Sequence, residues 1–233
     1  MMRGRRRESG NFWPSFVDVA ISLFFILMVV IIIMIVKREK EIDYVKKFHM
    51  CVETSVSNIN KTRIKSDENK SSGIKTSRDG FDIMMTFGAD ILFDKDKKVL
   101  KPEGRRILET VINEILLPSY KNRVKEVMPD IQVVGHTDSG TSVNEKIYGN
   151  WELSTDRAIS VVKLMIEKGL HPQEDCKTLL SAKGYSQYMS VTNDRRPGRG
   201  IIDELAALNR RIEIILHFEQ HKIKKHYESA TNG

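Results

Sequence analysis

The sequence predicts one N-terminal membrane-spanning helix followed by an α/β domain, an α+β sandwich with helices on one face of a small sheet. Three observations lead to this prediction. Residues 16–36 contain a single charged side chain, that of Asp18. Strand-like and helix-like apolar patterns alternate between residues 81 and 219. That segment is almost neutral, with 20 Lys and Arg against 21 Asp and Glu, although the whole chain of 233 residues has a net charge of +7.

The placement of the positive charge argues against a nucleic-acid-binding domain. A domain that binds DNA or RNA concentrates Lys and Arg on its folded surface, whereas here the excess lies in the tails and linkers. We therefore expect no nucleic-acid partner. The chain divides into a basic tail (1–14), a membrane span (15–37), a juxtamembrane helix (38–60), a flexible linker (61–80), a folded domain (81–219) and a second basic tail (220–233).

The apolar run over residues 16–36 is long enough to cross a bilayer, because 21 helical residues rise about 30 Å. It exceeds the apolar region of a signal peptide, which is about 7 to 15 residues long. Lys37 and Arg38 follow it where a cleavage site would stand. We therefore expect a retained anchor. Basic residues are nearly balanced on its two sides, so the positive-inside rule favours a cytoplasmic N-terminus by a small margin.

Asp18 has two interpretations. An ionisable side chain within a span costs about 2.5 to 3.5 kcal/mol on insertion scales, which indicates a functional group. Alternatively, Ser15 caps the helix and Asp18 occupies the third helical position near the lipid headgroups, since the spacing is that of a capping box. Ser22 lies one turn beyond Asp18 on the same helix face and, in the first interpretation, assists hydration of the carboxylate.

Apolar side chains recur at spacings of three and four residues after the span, and this heptad seam comprises Ile42, Val45, His49, Val52, Val56 and Ile59. It indicates either a helix that pairs with a second copy of itself or an amphipathic helix that lies on the membrane or on a neighbouring subunit. Residues 61–80 are poor in apolar side chains and rich in Ser, Lys and Gly, a composition that predicts a flexible linker.

The folded segment contains four predicted strands and two predicted helices. The strands are residues 81–87, 131–136, 178–185 and 211–218, of which the last alternates apolar and polar positions. One helix begins near Pro102 and carries apolar residues as far as Leu116. The other carries an apolar face from Ala158 to Ile166 and ends at Gly169, a residue suited to a helix C-terminus.

The candidate site lies between the second of these strands and the second helix. Asp138 follows the strand, Asn150 stands where the helix begins, and Arg157 lies about two turns further along. A carboxylate and a guanidinium on one rim can hold the ammonium and the carboxylate of a zwitterion. A salt bridge between Asp138 and Arg157 that fixes the loop explains the same spacing. The sequence offers no pattern typical of an enzyme nucleophile, a metal site or a cofactor, so we expect a non-enzymatic binding domain.

Several motifs together resemble the OmpA-like peptidoglycan-binding domain: GHTD at 135–138, NWELSTDRA at 150–158, the Lys183-Gly184 turn and NRRIEI at 209–214. The combination is most similar to the form in MotB-type stator subunits of ion-driven rotary motors, and it implies a βαβαβ domain that is not an enzyme. In that family the matched Asp and Arg bind the diaminopimelate of the peptide stem, so Asp138 and Arg157 inherit this role. Asn150 and Arg210 or Arg211 inherit supporting positions.

The span is also similar to that family. FWPSFVDV, which opens the apolar run, resembles the stator pattern in which an Asp carries an ion at the interface with a ring of A-type subunits. The resemblance implies that Asp18 carries a transported H⁺ or Na⁺, with no cofactor. It also implies a MotA-type ring of five subunits around two copies of this chain, self-dimerisation and binding to peptidoglycan. The expected location is the bacterial inner membrane, with the N-terminus in the cytoplasm and the domain in the periplasm.

The residues after Asp18 differ from those of flagellar stators. They read Val-Ala-Ile-Ser-Leu-Phe-Phe and lack the Thr-Ala-Met-Met run that usually follows the Asp in flagellar proteins. Together with the compact N-terminal tail, this resembles the B subunit of the Zorya anti-phage defence system and implies an ion-driven role in defence. Two alternatives stay open at this point: a flagellar-type stator subunit, and a static cell-wall tether without ion conduction.

Overall fold

The computed structural model describes residues 13–66, 73–118, 130–140, 149–171, 179–192, 195–196 and 200–219. The predicted tail 220–233 and residues 1–12 of the predicted N-terminal tail lie outside the described residues. The chain divides into two compact units, residues 1–43 and residues 44–233.

Helix α1 extends over Trp13–Ser66. In the first unit, the segment Phe16–Glu39 has 24 residues, and its 18-residue apolar window has a mean hydropathy of 3.4, with none of that window buried within the protein. Its length and composition suit a membrane span. Ser15 already lies within the helix, whereas a residue that caps a helix has a non-helical backbone. The helical backbone at Ser15 therefore does not fit the capping-box alternative, and Asp18 lies inside α1.

The strands of the second unit are β1 (Lys75–Asp79), β2 (Asp82–Gly88), β3 (Asp130–His136), β4 (Leu180–Gly184), β5 (Arg195–Arg196), β6 (Gly200–Ile201) and β7 (Arg211–His217). Five of them form one sheet in the order β1-β2-β7-β3-β4, and β5 pairs with β6. The pairing of β3 with β4 is parallel, and the other pairings in the large sheet are antiparallel.

The helices of the second unit are α2 (Ala89–Leu92), α3 (Pro102–Val111), α4 (Asn150–Glu167) and α5 (Asp203–Asn209), and α3 continues as a π-helical turn over Ile112–Leu116. Helix α4 packs on β3 and β4, and α3 contacts α4. Alternate residues of β2 are buried, as a strand with one face against the core requires. The structure confirms the predicted fold class, an N-terminal apolar helix followed by an α/β domain.

The predicted linker contains regular structure at both of its ends. Helix α1 continues to Ser66, and residues 75–79 form the edge strand β1. The Asn60 side chain joins the two, since it donates to the Ile74 carbonyl at 2.8 Å and accepts the Ile74 N–H at 2.9 Å. Strand β1 reads KTSRD and is held by main-chain pairing with β2. Composition does not detect such an edge strand, because it has no apolar face.

The heptad seam packs into the core of the chain's own domain. Val45, Val52, Val56 and Ile59 are buried in the cluster that includes the sheet residues. The ring of Phe48 lies 5.1 Å from that of Phe218, measured between centroids, in an edge-to-face contact. The sequence suggested that this seam faces a second copy, the membrane or a neighbouring subunit. Spacing alone shows that a helix has an apolar face and does not identify what that face contacts.

Candidate binding pocket

A pocket of about 560 Å³ opens at the end of the sheet where β2 and β3 finish and β7 starts. It brings together four residues proposed from the sequence, Asp138, Asn150, Arg157 and Arg210. Its charged lining has both signs: Asp90, Asp94, Asp96, Asp138 and Asp203 against Lys95, Arg157 and Arg210. A pocket with cations and anions on one rim is suited to a ligand that itself carries both charges.

Asp138 is held in place from two sides. Its Oδ1 accepts the backbone N–H of Gly140 at 3.0 Å, and its Oδ2 accepts Nη1 of Arg210 at 2.5 Å. The Asp138 side chain is 17% exposed and that of Arg210 is 36% exposed. The carboxylate is therefore oriented before any ligand arrives and is still within reach of one.

Arg157 is buried, and it donates to main-chain carbonyls of the loop after α2. Its Nε lies 2.8 Å from the Lys97 carbonyl oxygen, and its Nη2 lies 3.3 Å from that of Asp94. The guanidinium carbon lies 5.2 Å from the ring centre of Phe93, within cation–π range. Burial lowers the pKa of Arg157 to about 10, so the side chain stays charged at neutral pH. The ion pair of Asp138 is with Arg210. The structure therefore differs from the alternative in which a salt bridge between Asp138 and Arg157 fixes the loop.

Two glycines allow α4 to approach the sheet closely enough to bring Arg157 to the pocket. Gly135 and Gly184 lie opposite each other in the parallel pairing of β3 with β4. A Cβ on Gly135 would lie 2.0 Å from the Ser154 carbonyl oxygen, and a Cβ on Gly184 would lie 2.2 Å from Oγ1 of Thr155. These glycines belong to the GHTD and Lys-Gly motifs, which gives both motifs a steric explanation.

Asn150 links the start of α4 to two loops. Its Nδ2 donates to the Gly140 carbonyl oxygen and to Oε1 of Gln187, at 2.8 Å in each case. Gly140 also orients Asp138 through its N–H. Asn150 therefore acts on the pocket by ordering the loop that carries Asp138.

Arg210 and Arg211 have different surroundings. Arg211 is buried, and its Nε donates to Oε1 of Glu213 at 2.7 Å. The other oxygen of Glu213 lies 3.1 Å from Nε2 of the buried His136. Burial raises the pKa of Glu213, but hydrogen bonds from His136 and Arg211 outweigh this and hold it below its ordinary value. Of the two arginines, the structure places Arg210 at the pocket and Arg211 in this buried network.

Asp18 and Ser22 lie in the first unit, within the apolar part of α1. The Ser22 hydroxyl donates to the main-chain carbonyl of Asp18 at 2.8 Å. Both side chains are exposed on the helix surface. Ser22 therefore lies one turn from Asp18 on the same face, with its hydroxyl proton held by the helix backbone.

Sequence reasoning missed the contribution of the loop after α2. Phe93 supplies a ring to Arg157, and the main chain at Asp94 and Lys97 supplies carbonyl oxygens. Main-chain acceptors leave no side-chain pattern, so the available signal was Phe93 followed by the charged residues 94–98. Among the described residues, no group of three or more His, Cys, Asp or Glu is arranged to hold a metal ion.

Comparison with known proteins connects this geometry to a family. Residues 92–200 match the OmpA family. Motility protein B of Bacillus subtilis is 28% identical over 134 residues, which are 58% of this chain and 44% of that protein. The chain spans about half the length of the curated relatives it matches.

Two solved structures share the fold. A MotB-like protein from Desulfovibrio vulgaris aligns over 78% of this chain and 96% of its own, with a TM-score of 0.60 and 21% identity. The cell wall anchor of the T6SS from Pseudomonas aeruginosa aligns over 70% of this chain and 97% of its own, with a TM-score of 0.51 and 21% identity. These structures, together with the family match, support the OmpA-like and MotB-like resemblance found in the motifs.

Proposed function

We propose, from the match of residues 92–200 to the OmpA family, that the chain is a wall-anchored B-type subunit of an ion-driven stator in the bacterial inner membrane. One observation carries the proposal. A single pocket gathers Asp138, Arg157 and Arg210 in the domain of a chain that also has an apolar helix of membrane-spanning length. The proposed topology has the N-terminus in the cytoplasm and the domain in the periplasm.

The pocket chemistry suits the diaminopimelate of a peptidoglycan stem, whose free end carries an ammonium and a carboxylate on one carbon. Asp138 supplies an anion for the ammonium, and its partial exposure leaves it reachable. Arg210, and Arg157 below it, supply guanidinium groups for the carboxylate. Charge-assisted hydrogen bonds of this kind are roughly twice as strong as neutral ones.

Wall binding is tested by sedimentation of the full chain in detergent with purified peptidoglycan. We expect Asp138→Ala and Arg157→Ala to abolish co-sedimentation. Asp82→Ala is the matched control, because Asp82 is a carboxylate at the opposite end of β2 that pairs with the exposed His217. Wild-type binding by a folded Asp138→Ala protein would show that the pocket is not the wall-binding site.

The second part of the proposal is that Asp18 carries H⁺ or Na⁺ between this chain and a ring of MotA-type subunits. Its support is a carboxylate on the exposed surface of a 24-residue apolar segment, since ionisable groups within membrane spans are usually functional. We expect Asp18→Asn to stop ion flow in cells that also produce the ring subunit, with membrane insertion and wall binding unchanged. Asp43→Asn, a like substitution beyond the apolar segment, serves as the control.

Full ion flow with Asp18→Asn would leave the static tether as the function of the chain.

Two copies of this chain in a ring of five, and a role in anti-phage defence of the Zorya type, complete the proposal. The defence role rests on the residues that follow Asp18, which depart from the flagellar run. It predicts that Asp18→Asn abolishes protection in a phage plaque assay and leaves swimming motility unaffected.

A further inference from the structure

Two aromatic side chains lie exposed in contact with each other beside the pocket. Trp151 is 51% exposed and Tyr188 is 69% exposed. Their ring centroids are 5.6 Å apart, and the ring planes are inclined by 31°. Large aromatic rings usually bury most of their surface within the fold. An exposed pair beside a polar pocket therefore indicates a binding surface.

The aromatic pair lies next to the pocket residue Asn150. Trp151 follows Asn150, which lines the pocket, and the Asn150 amide reaches Oε1 of Gln187. Tyr188 comes directly after Gln187, and its N–H donates to the Tyr185 carbonyl. The hydrogen bond between Asn150 and Gln187 thus joins the two segments that carry the rings. Both rings are set by main chain that is anchored to the rim of the pocket.

We propose that Trp151 and Tyr188 form a platform that stacks on a sugar ring of the peptidoglycan glycan while the pocket holds the attached peptide stem. This inference rests on the proposed wall-binding function and names a second part of the ligand. The face of a pyranose ring presents C–H groups with partial positive charge, which are attracted to the negative face of an aromatic ring. No charged side chain is needed for such a contact.

In the ligand, the sugar lies a short distance from diaminopimelate. Two residues separate diaminopimelate from the sugar in a peptidoglycan stem, and an extended link of that length spans on the order of 10 Å. The protein places the platform one residue along the chain from the pocket residue Asn150. We therefore expect the platform, which adjoins the pocket rim at Asn150, to meet the sugar of a stem whose diaminopimelate is held by Asp138.

The test compares two ligands on the full chain in detergent: a stem peptide that contains diaminopimelate, and the same stem attached to its disaccharide. We expect Trp151→Ala and Tyr188→Ala each to weaken binding of the disaccharide-linked stem by about tenfold, with the affinity for the free stem unchanged. Trp151→Phe should restore most of the affinity. Leu179→Ala, at an exposed apolar residue before β4, is the matched control.

The outcomes separate the platform from the pocket. Equal affinity of the wild type and Trp151→Ala for the disaccharide-linked stem would overturn the platform, as would an equal loss for both ligands. Failure of the proposed function gives another result, in which Asp138→Ala alters binding of neither ligand. Fluorescence adds a direct readout, because the chain has two tryptophans. In a Trp13→Phe background, the disaccharide-linked stem should shift the Trp151 emission and the free stem should not.

Discussion

Asp138 forms its ion pair with Arg210, and not with Arg157, although all three side chains line one pocket. This arrangement determines how a ligand with both charges is accepted. In the proposed function, the ammonium of the ligand shares the carboxylate of Asp138 with Arg210, and its carboxylate supplies a new partner for the guanidinium. Binding of this kind would add partners to charges that are already paired, so that no charged side chain of the pocket would lose its partner.

Arg210→Ala should weaken peptidoglycan binding by about tenfold and leave thermal stability almost unchanged. The Arg210 side chain is 36% exposed, and ion pairs at such positions contribute about 0 to 1 kcal/mol to folding. Binding isotherms with soluble stem peptide measure the loss of affinity, and a thermal melt of the same variant measures its stability. A large fall in melting temperature would mean that Arg210 holds the fold together instead of the ligand.

Arg211→Ala should have the reverse effect. Its removal leaves the Glu213 carboxylate, which is 13% exposed, with His136 as its remaining side-chain partner. Breaking a fully buried ion pair from one side costs about 3 kcal/mol or more, and since Glu213 is partly exposed we expect about 2 kcal/mol here. Chemical denaturation should show this loss, and the folded fraction should bind stem peptide normally. Wild-type stability would contradict a structural role for the network.

Gly184→Ala should destabilise the domain by about 3 kcal/mol, near the upper end of costs for overpacking. The added Cβ would meet Thr155 and Ser154, including the main-chain nitrogen of Thr155 at 2.7 Å. Gly80→Ala is the control, since no atom lies within 4 Å of its added Cβ, although its φ of +56° favours glycine. We expect about 1 kcal/mol there from backbone strain. Equal losses in denaturant midpoint at the two sites would contradict close packing of α4.

Acid should weaken the domain through Glu213. The pKa of Glu213 in the folded protein lies below its ordinary value of 4.5, so the ionised carboxylate favours folding. This contribution is complete above about pH 4.5 and is lost as the pH falls through the lowered value. Glu213→Gln should therefore lower stability at pH 7 and flatten the decline below about pH 4.5. Parallel stability curves for the two proteins, measured across that pH range, would contradict this account.

Val52→Ala should destabilise the domain by about 2 kcal/mol, because it removes two methyl groups from a packed core. Val52 lies in the seam and is 1% exposed, whereas Met50 on the same helix is 64% exposed. Met50→Ala should therefore change the melting temperature very little. A Val52→Ala protein that melts like the wild type but loses self-association would restore the interpretation in which the seam pairs with a second copy.

The sequence predicted the strands in which apolar and polar side chains alternate and the helices in which apolar side chains recur on one face. Strand β7 alternates buried and half-buried residues, and the apolar face of α4 ends before Gly169, whose φ is +99°. Strand β1 lacked such a signal because its stability comes from main-chain pairing with β2. The environment of the heptad seam depends on tertiary packing, which residue spacing does not encode.

The sequence predicted which charged residues line the candidate site. It did not predict which of them form an ion pair. The motif GHTD and the helix that begins at Asn150 predicted Asp138 and Arg157 on one rim, and the structure places both residues in one pocket. The choice of Arg210 as the partner of Asp138 depends on the register of β3 with β7, which aligns His136 with Arg211. Register between distant strands is set by the whole sheet and is not visible in a local motif.

Strand β7 lies between β2 and β3, and this order affects when the domain can fold during synthesis. Both of its neighbours precede it by long stretches of chain, so a growing polypeptide lacks the central strand until residue 217 has emerged. Segments β2 and β3 cannot be joined in one sheet before then. A chain with this topology can complete its five-stranded sheet only in a late step, after β7 has been synthesised.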